Sequence, residues 1–275
     1  MRIYSLSKVL GTPITVCTIA LAYYQYSQGI TIGLWILVPI FLMVILFISH
    51  GYIDYWYHTK YPIPLDKEVK NWINTYSTFY QSLKPSDKEK YEYRMSLYLE
   101  GRSFMSVGSE QKDLPEDIKA IIATNAIQLN FNKKDILIGD FDRIFVYKHP
   151  FPSPKHQYLH SVETDGEDGV IIYSLEHLIP GITNPDMYYN IGMHAYVEAF
   201  TLAYPTLDYP WNLDADWAEV EAISGLEKDF ILSTLGVKSV DMFVVLGTCY
   251  FTYPEKFARI LPKLNQELDR LFSEE

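Results

Sequence analysis

Between Val9 and Ile53 the sequence has no lysine, arginine, aspartate or glutamate. An uncharged gap of 45 residues excludes an ordinary globular surface there, and it is too long for a single membrane helix. Cysteine is nearly absent: Cys17 lies in the apolar stretch and Cys249 far downstream, so no disulfide framework is implied and a reducing compartment fits. An excess of basic charge is lacking too. The net charge is −11, and since residues 1–53 carry only Arg2 and Lys8, the rest of the chain carries −13. Such a surface repels phosphate backbones, which argues against a nucleic-acid partner. There is no glycine-rich phosphate loop, no serine or cysteine in a recognisable nucleophile setting, no internal repeat and no low-complexity tract.

The uncharged gap itself divides into two apolar runs. VLGTPITVCTIALAYY covers 9–24 and ITIGLWILVPIFLMVILFIS covers 30–49, with QYSQG between them. No A-x-A-like cleavage site follows the first run, so two membrane helices are expected rather than a signal peptide and one helix. Arg2 and Lys8 precede the first run, Lys60, Lys67 and Lys70 follow the second, and the connecting loop is uncharged. The positive-inside rule then puts both ends on the cytoplasmic side of the inner (cytoplasmic) membrane. Tyr23, Tyr24, Tyr26, Tyr52, Tyr55, Trp56 and Tyr57 sit where interfacial anchors belong. The expected organisation is a two-helix transmembrane hairpin over 1–60, in contact with membrane lipid, and a cytoplasmic domain over 61–275.

In the second part, 67–83 reads as a helix with Trp72, Tyr76, Phe79 and Tyr80 on one stripe. Ser86 and Glu89 have capping-box spacing for a helix reaching Gly101. Leu114-Pro115-Glu116-Asp117 opens an apolar helix. Strands are expected at DILIG (135–139), RIFVYKH (143–149) and GVIIYS (169–174), with a proline- and charge-rich excursion over 150–168. Asn184-Pro185-Asp186 is read as the start of the next helix, and further helices are expected over 213–226, 238–252 and 254–272. The order helices, short sheet, helices predicts an α+β domain.

One helix carries the chemistry. In NIGMHAYVEAF (190–200), His194 and Glu198 are four residues apart and share a helix face. Both are legitimate zinc ligands, but Ala195 follows the histidine where a zinc peptidase of the H-E-x-x-H type needs its general base. On spacing alone, a histidine–carboxylate hydrogen bond in a packed helix is the competing explanation. His156 and His160 repeat the spacing, but Pro150, Pro152 and Pro154 argue against a helix and for a surface loop. Asp214, Asp216, Glu219 and Glu221 read as a solvated acidic face, with a distal ligand drawn from it as the alternative.

Taken in order, YQSLKPSDKEKYEYRMSLYLEGRSF, LPEDIKAIIATNAIQLNF, RIFVYKHPF, GVIIYS, NIGMHAYVEAF and SVDMFVVLGTCYFTYPEKFARILPKL resemble segments of the Mlc titration factor A family of zinc metallopeptidases. The resemblance covers most of 70–272 and implies a zincin-like metallopeptidase fold, mostly helical with a small sheet. It puts His194 on the family's first zinc ligand, Ala195 on the catalytic glutamate, Glu198 on the second histidine ligand and Thr248 on the distal glutamate ligand. Asp241 falls on an acid earlier in that last segment. The expectation is therefore a pseudopeptidase with no catalytic residue and no cofactor, holding a protein or peptide partner in the old cleft. The alternative is a zinc enzyme rebuilt around His194, Glu198 and a carboxylate such as Glu219 or Glu221. A third reading makes the hairpin itself functional, as an assembly factor for another membrane protein.

Overall fold

The computed structural model describes residues 5–29, 33–108, 113–210 and 215–273. Arg2, the first residues of the second apolar run (30–32) and Asp214 lie outside the described residues. The chain divides into two compact units, Met1–Pro64 and Leu65–Glu275.

The first unit is a pair of helices, α1 (Leu6–Ser27) and α2 (Leu37–Lys60), the latter entered through a 3-10 turn at Leu34–Ile36. At 1.5 Å per residue α1 is about 33 Å long, and both helices are long and apolar enough to cross a bilayer. Pro13 is accommodated inside α1, and Thr12, Thr15 and Thr18 each return a hydroxyl hydrogen to the carbonyl four residues back. Small residues let the helices approach: a methyl group at Gly11 would meet Leu46 at 3.3 Å. Polar bonds close both ends. The carboxylate of Asp54 accepts from the Ser7 amide (2.8 Å), the Ser7 hydroxyl (2.8 Å) and the Ser5 hydroxyl (2.9 Å), and Gln25 Oε1 accepts from the Gly33 amide (3.1 Å). The second helix therefore runs to Lys60, well past the apolar run that ends at 49. Asp54 finds its partners on α1, and His58 and Lys60 suit the negative helix end.

The second unit is mostly helical around a four-stranded sheet. It begins with α3 (Lys67–Tyr76) and α4 (Thr78–Ser82), which replace the single helix expected over 67–83. The break falls at Ser77, whose hydroxyl oxygen caps α4 by accepting from the Tyr80 amide. In α5 (Pro85–Gly101), Pro85 takes the first turn and no side chain caps, so the Ser86–Glu89 box does not form. Then come β1 (Ser103–Ser106), α6 (Glu116–Asn130), β2 (Arg143–Tyr147), β3 (Val162–Asp165) and β4 (Val170–Ser174). DILIG is irregular, with a bend and the start of a turn in place of a strand. The sheet order is β1-β2-β4-β3: β1, β2 and β4 run parallel, and β3 is an antiparallel edge strand joined to β4 by a hairpin. Gly169, in that hairpin at φ 63°, has no room for a side chain, since an added methyl would lie 2.3 Å from the Asp140 carbonyl oxygen.

The remaining helices are α7 (Leu175–Thr183), α8 (Ile191–Ala203), α9 (Trp217–Ser224), α10 (Lys228–Leu235), α11 (Met242–Thr252), α12 (Pro254–Ile260) and α13 (Pro262–Phe272). Asn184-Pro185-Asp186 is a turn after α7. Asn190 starts α8, its side-chain oxygen accepting from the Met193 amide. Pro262 splits the long closing helix in two. Helices α6, α8 and α11 are buried on nearly every side and form the centre of the core. Where α11 crosses α8 only glycine fits, because a methyl group at Gly247 would press within 2.8 Å of Val197. That close crossing puts Thr248 next to the helix that carries His194.

Candidate functional site

Helix α8 sits beneath the sheet against β3 and β4, with α6 and α11 on its other sides. Its histidine is 4% exposed, and Nδ1 of His194 lies 2.8 Å from the Tyr189 hydroxyl. Thr248 is the next polar group beyond Tyr189, and its own hydroxyl donates to the Val244 carbonyl at 2.8 Å. Burial with no charged partner pushes the imidazole of His194 down to about 3, so it is neutral at physiological pH. The same burial raises the Tyr189 hydroxyl well above its ordinary range. Ala195 is 0% exposed, its methyl group part of the core. Glu198 is partly buried with Thr164 beside it. Burial raises its carboxyl, the charges of Asp241 and Glu163 add to the rise, and the Thr164 hydroxyl opposes it.

His194 and Glu198 do not bond each other. Both open instead onto a cavity of about 230 Å³ bounded by β3, α8 and the connection from Leu235 to Asp241. His156, His160, Glu163, Thr164 and Asp241 line it as well. The 150–168 segment is irregular apart from β3 and a single bridge between Phe151 and His160, so the H-x3-H spacing has no helical meaning. His156 is exposed as expected of a surface loop. His160 is not: it is 1% exposed, with Nδ1 3.0 Å from the Tyr158 carbonyl and Nε2 2.9 Å from Glu163. Both ring nitrogens face oxygen atoms of neighbouring groups. The residues that sequence reasoning missed here are His160 as a buried group and Glu163 as its partner. The only local signal was the second histidine spacing, and an edge strand as polar as Val162–Asp165 carries no alternation that would reveal it.

Glu219 and Asp216 are engaged with each other in a capping box at the start of α9, and Glu221 is exposed on that helix. None of them lines the cavity. Asp241 does, while its Oδ1 accepts from the Phe243 amide at 2.8 Å to cap α11. Among the described residues no three histidine, cysteine, aspartate or glutamate side chains converge on a common metal position. At the positions that the sequence resemblance would give to a base and a distal ligand stand the core methyl group of Ala195 and the hydroxyl of Thr248, which is given to a backbone carbonyl, and these groups do not fit a zinc site. Compared with models of known protein families and with curated proteins, the chain matches none.

Proposed function

We propose that the chain is a membrane-anchored relative of the Mlc titration factor A peptidases that has lost peptidase chemistry and works as a binding or scaffold subunit, holding an extended peptide segment of a protein partner. The observation that carries this reading is the pair of replaced positions on two helices that pack together. Ala195 is enclosed in the core where a base would stand, and Thr248 spends its hydroxyl on Val244 where a ligand would stand. A zincin-like reading of the fold draws support from a mixed sheet whose antiparallel edge strand runs beside the histidine-bearing helix. Edge strand β3 lends its Val162, Glu163 and Thr164 to the cavity, and as the outer strand of the sheet it is paired on one side only, which is the arrangement that peptide-strand addition uses. Two apolar helices of spanning length, flanked by Lys8, Lys60, Lys67 and Lys70 around an uncharged connection, support a hairpin in the inner membrane with the main domain in the cytoplasm.

The rebuilt zinc enzyme is the second reading, and one observation favours it: His160 and Glu163 share the cavity with His194 and Glu198, so nitrogen and oxygen donors are at hand without Glu219 or Glu221. One experiment separates the two readings. Chain purified without chelators is expected to contain far less than one zinc per molecule and to leave a quenched fluorescent peptide mixture uncut, while retaining peptides in a binding assay. Near-stoichiometric zinc together with chelator-sensitive cleavage would reverse the order.

A further inference from the structure

Aromatic residues recur where the last three helices meet. Tyr250 and Phe251 lie near the end of α11, and Phe272 closes α13. The breaks at Pro254 and Pro262 turn α11, α12 and α13 against one another, and the Phe251 and Phe272 rings come within 4.8 Å. Phe79, from the short helix α4 far back in the chain, reaches the same place. Between these rings lies a cavity of about 600 Å³, and a smaller space of about 360 Å³ adjoins it past Phe251 and Glu255. Neither shares a residue with the cavity beside α8.

The charge on its walls is of one sign. Glu255 and Asp269 line the larger space and no described lysine or arginine does, while Lys256 lies on the adjoining one. The carboxylate of Asp269 is also held in place: Oδ1 accepts from the Tyr250 hydroxyl at 2.7 Å and Oδ2 from the Asn265 amide at 2.8 Å. Both donors are neutral, so the carboxylate is oriented and its charge is not cancelled. Aromatic faces carry negative potential as well, and an aromatic enclosure suits a substituted ammonium. An anion is repelled by such walls. The volume is that of a small-molecule site, roughly 300–1,000 Å³.

We propose that this cavity binds a small organic cation, a substituted ammonium joined to an apolar body, with Asp269 and Glu255 as its charge partners and the rings of Phe79, Tyr250, Phe251 and Phe272 around the rest. The site is separate from the peptide-binding reading above and does not depend on it.

The test uses full-length chain in nanodiscs of zwitterionic lipid, with empty nanodiscs as the blank for partition into lipid. The probes are para-fluorobenzyltrimethylammonium and its neutral isostere, in which carbon replaces the ammonium nitrogen. Fluorine NMR titration is expected to show the cation binding roughly tenfold more tightly, with the advantage shrinking as salt rises. Asp269→Asn and Glu255→Gln are each expected to remove about threefold of that advantage and to leave the isostere unaffected. Ala258 is an exposed residue of α12 on the cavity wall, so Ala258→Trp fills the space without disturbing the core and is expected to weaken both probes. Equal affinity for the two probes would overturn the cation assignment, and binding of neither would overturn the site. Affinity unchanged by Ala258→Trp would place the ligand elsewhere and overturn the proposal too. An amphipathic lysine-bearing helical peptide that displaced the cation and bound far more tightly would make the occupant a partner helix. Displacement by added unlabelled chain would make it a second copy. Either result overturns the small-molecule assignment.

Discussion

The first half of helix α2 and helix α11 are both apolar on nearly every side, yet their surroundings are opposite. In α2, Phe41 and Phe47 are 65% and 77% exposed, whereas in α11 Phe243 and Val245 are 1% and 0% exposed. The difference is length and neighbours. α2 has 24 residues, enough to cross a bilayer, and α11 has 11, so its apolar surface must be covered by protein. Apolar composition says that a helix avoids water; it does not say what replaces the water. The polar exceptions follow the same division. Asp54, near the end of the hairpin, takes three hydrogen bonds from serines, whereas His194 and Thr248 sit deep in the second unit and are satisfied through buried hydroxyls and carbonyls.

The sharpest way to break this comparison is to charge the buried helix. Ala195→Glu inserts a carboxylate into closed core and is expected to cost about 3–5 kcal/mol, seen as a large drop in the thermal midpoint of the full chain in detergent. A midpoint unchanged within a degree or two would mean that α8 is not packed as described.

The next effect is a pH dependence. Folded His194 titrates near 3 and an unfolded histidine near 6.5, so between these values the unfolded state binds more protons. Its contribution is complete above about pH 6.5 and declines as pH falls toward 3, by on the order of a few kcal/mol. The raised carboxyl of Glu198 works in the opposite sense, because the folded state takes up its proton first on acidification, which partly offsets the loss. Denaturant titrations at a series of pH values are expected to show a shallower acid slope for His194→Gln than for the unaltered chain. An identical slope would mean that His194 titrates like an exposed histidine.

Smaller effects sharpen the contrast between the units. Asp54→Ala removes the acceptor shared by Ser5 and Ser7 and is expected to loosen the hairpin by about 1–2 kcal/mol, read as faster proteolysis of the first unit. The melting of the second unit should not change. Asp216→Ala deletes the cap of α9 and should lower the second unit's stability by about 1 kcal/mol, with the hairpin unaffected. If either variant destabilised both units equally, the division at Pro64 would be wrong.

Several elements were readable from local signals because their causes are local. Residues 116–130 carry isoleucine, alanine and leucine at helical spacing, 242–252 are almost wholly apolar, Pro115 marks a helix start, and RIFVY and VIIYS are short runs rich in β-branched and aromatic residues. Other elements were not readable. Strand β1 is four residues long and β3 reads VETD, too short and too polar to show a period, and each exists because a partner strand lies alongside. DILIG has the composition of a strand but no strand to pair with. The candidate site was half legible: the i, i+4 spacing of His194 and Glu198 predicted a shared face, but nothing in the chain near them announced His160, Glu163 or Tyr189.

By itself the sequence determined that two N-terminal stretches avoid water, that the remainder is acidic, and that one helix carries a histidine followed by a methyl group. Those properties belong to single residues and to spacings within one turn or one span. Only the tertiary structure decided that Glu219 stays at its own helix end while Glu163 and Asp241 share a cavity with His194, and that the Tyr189 hydroxyl meets the imidazole. Such pairings depend on strand register and on helices crossing at Gly247, and burial rather than sequence neighbourhood sets the charge of the groups that meet there.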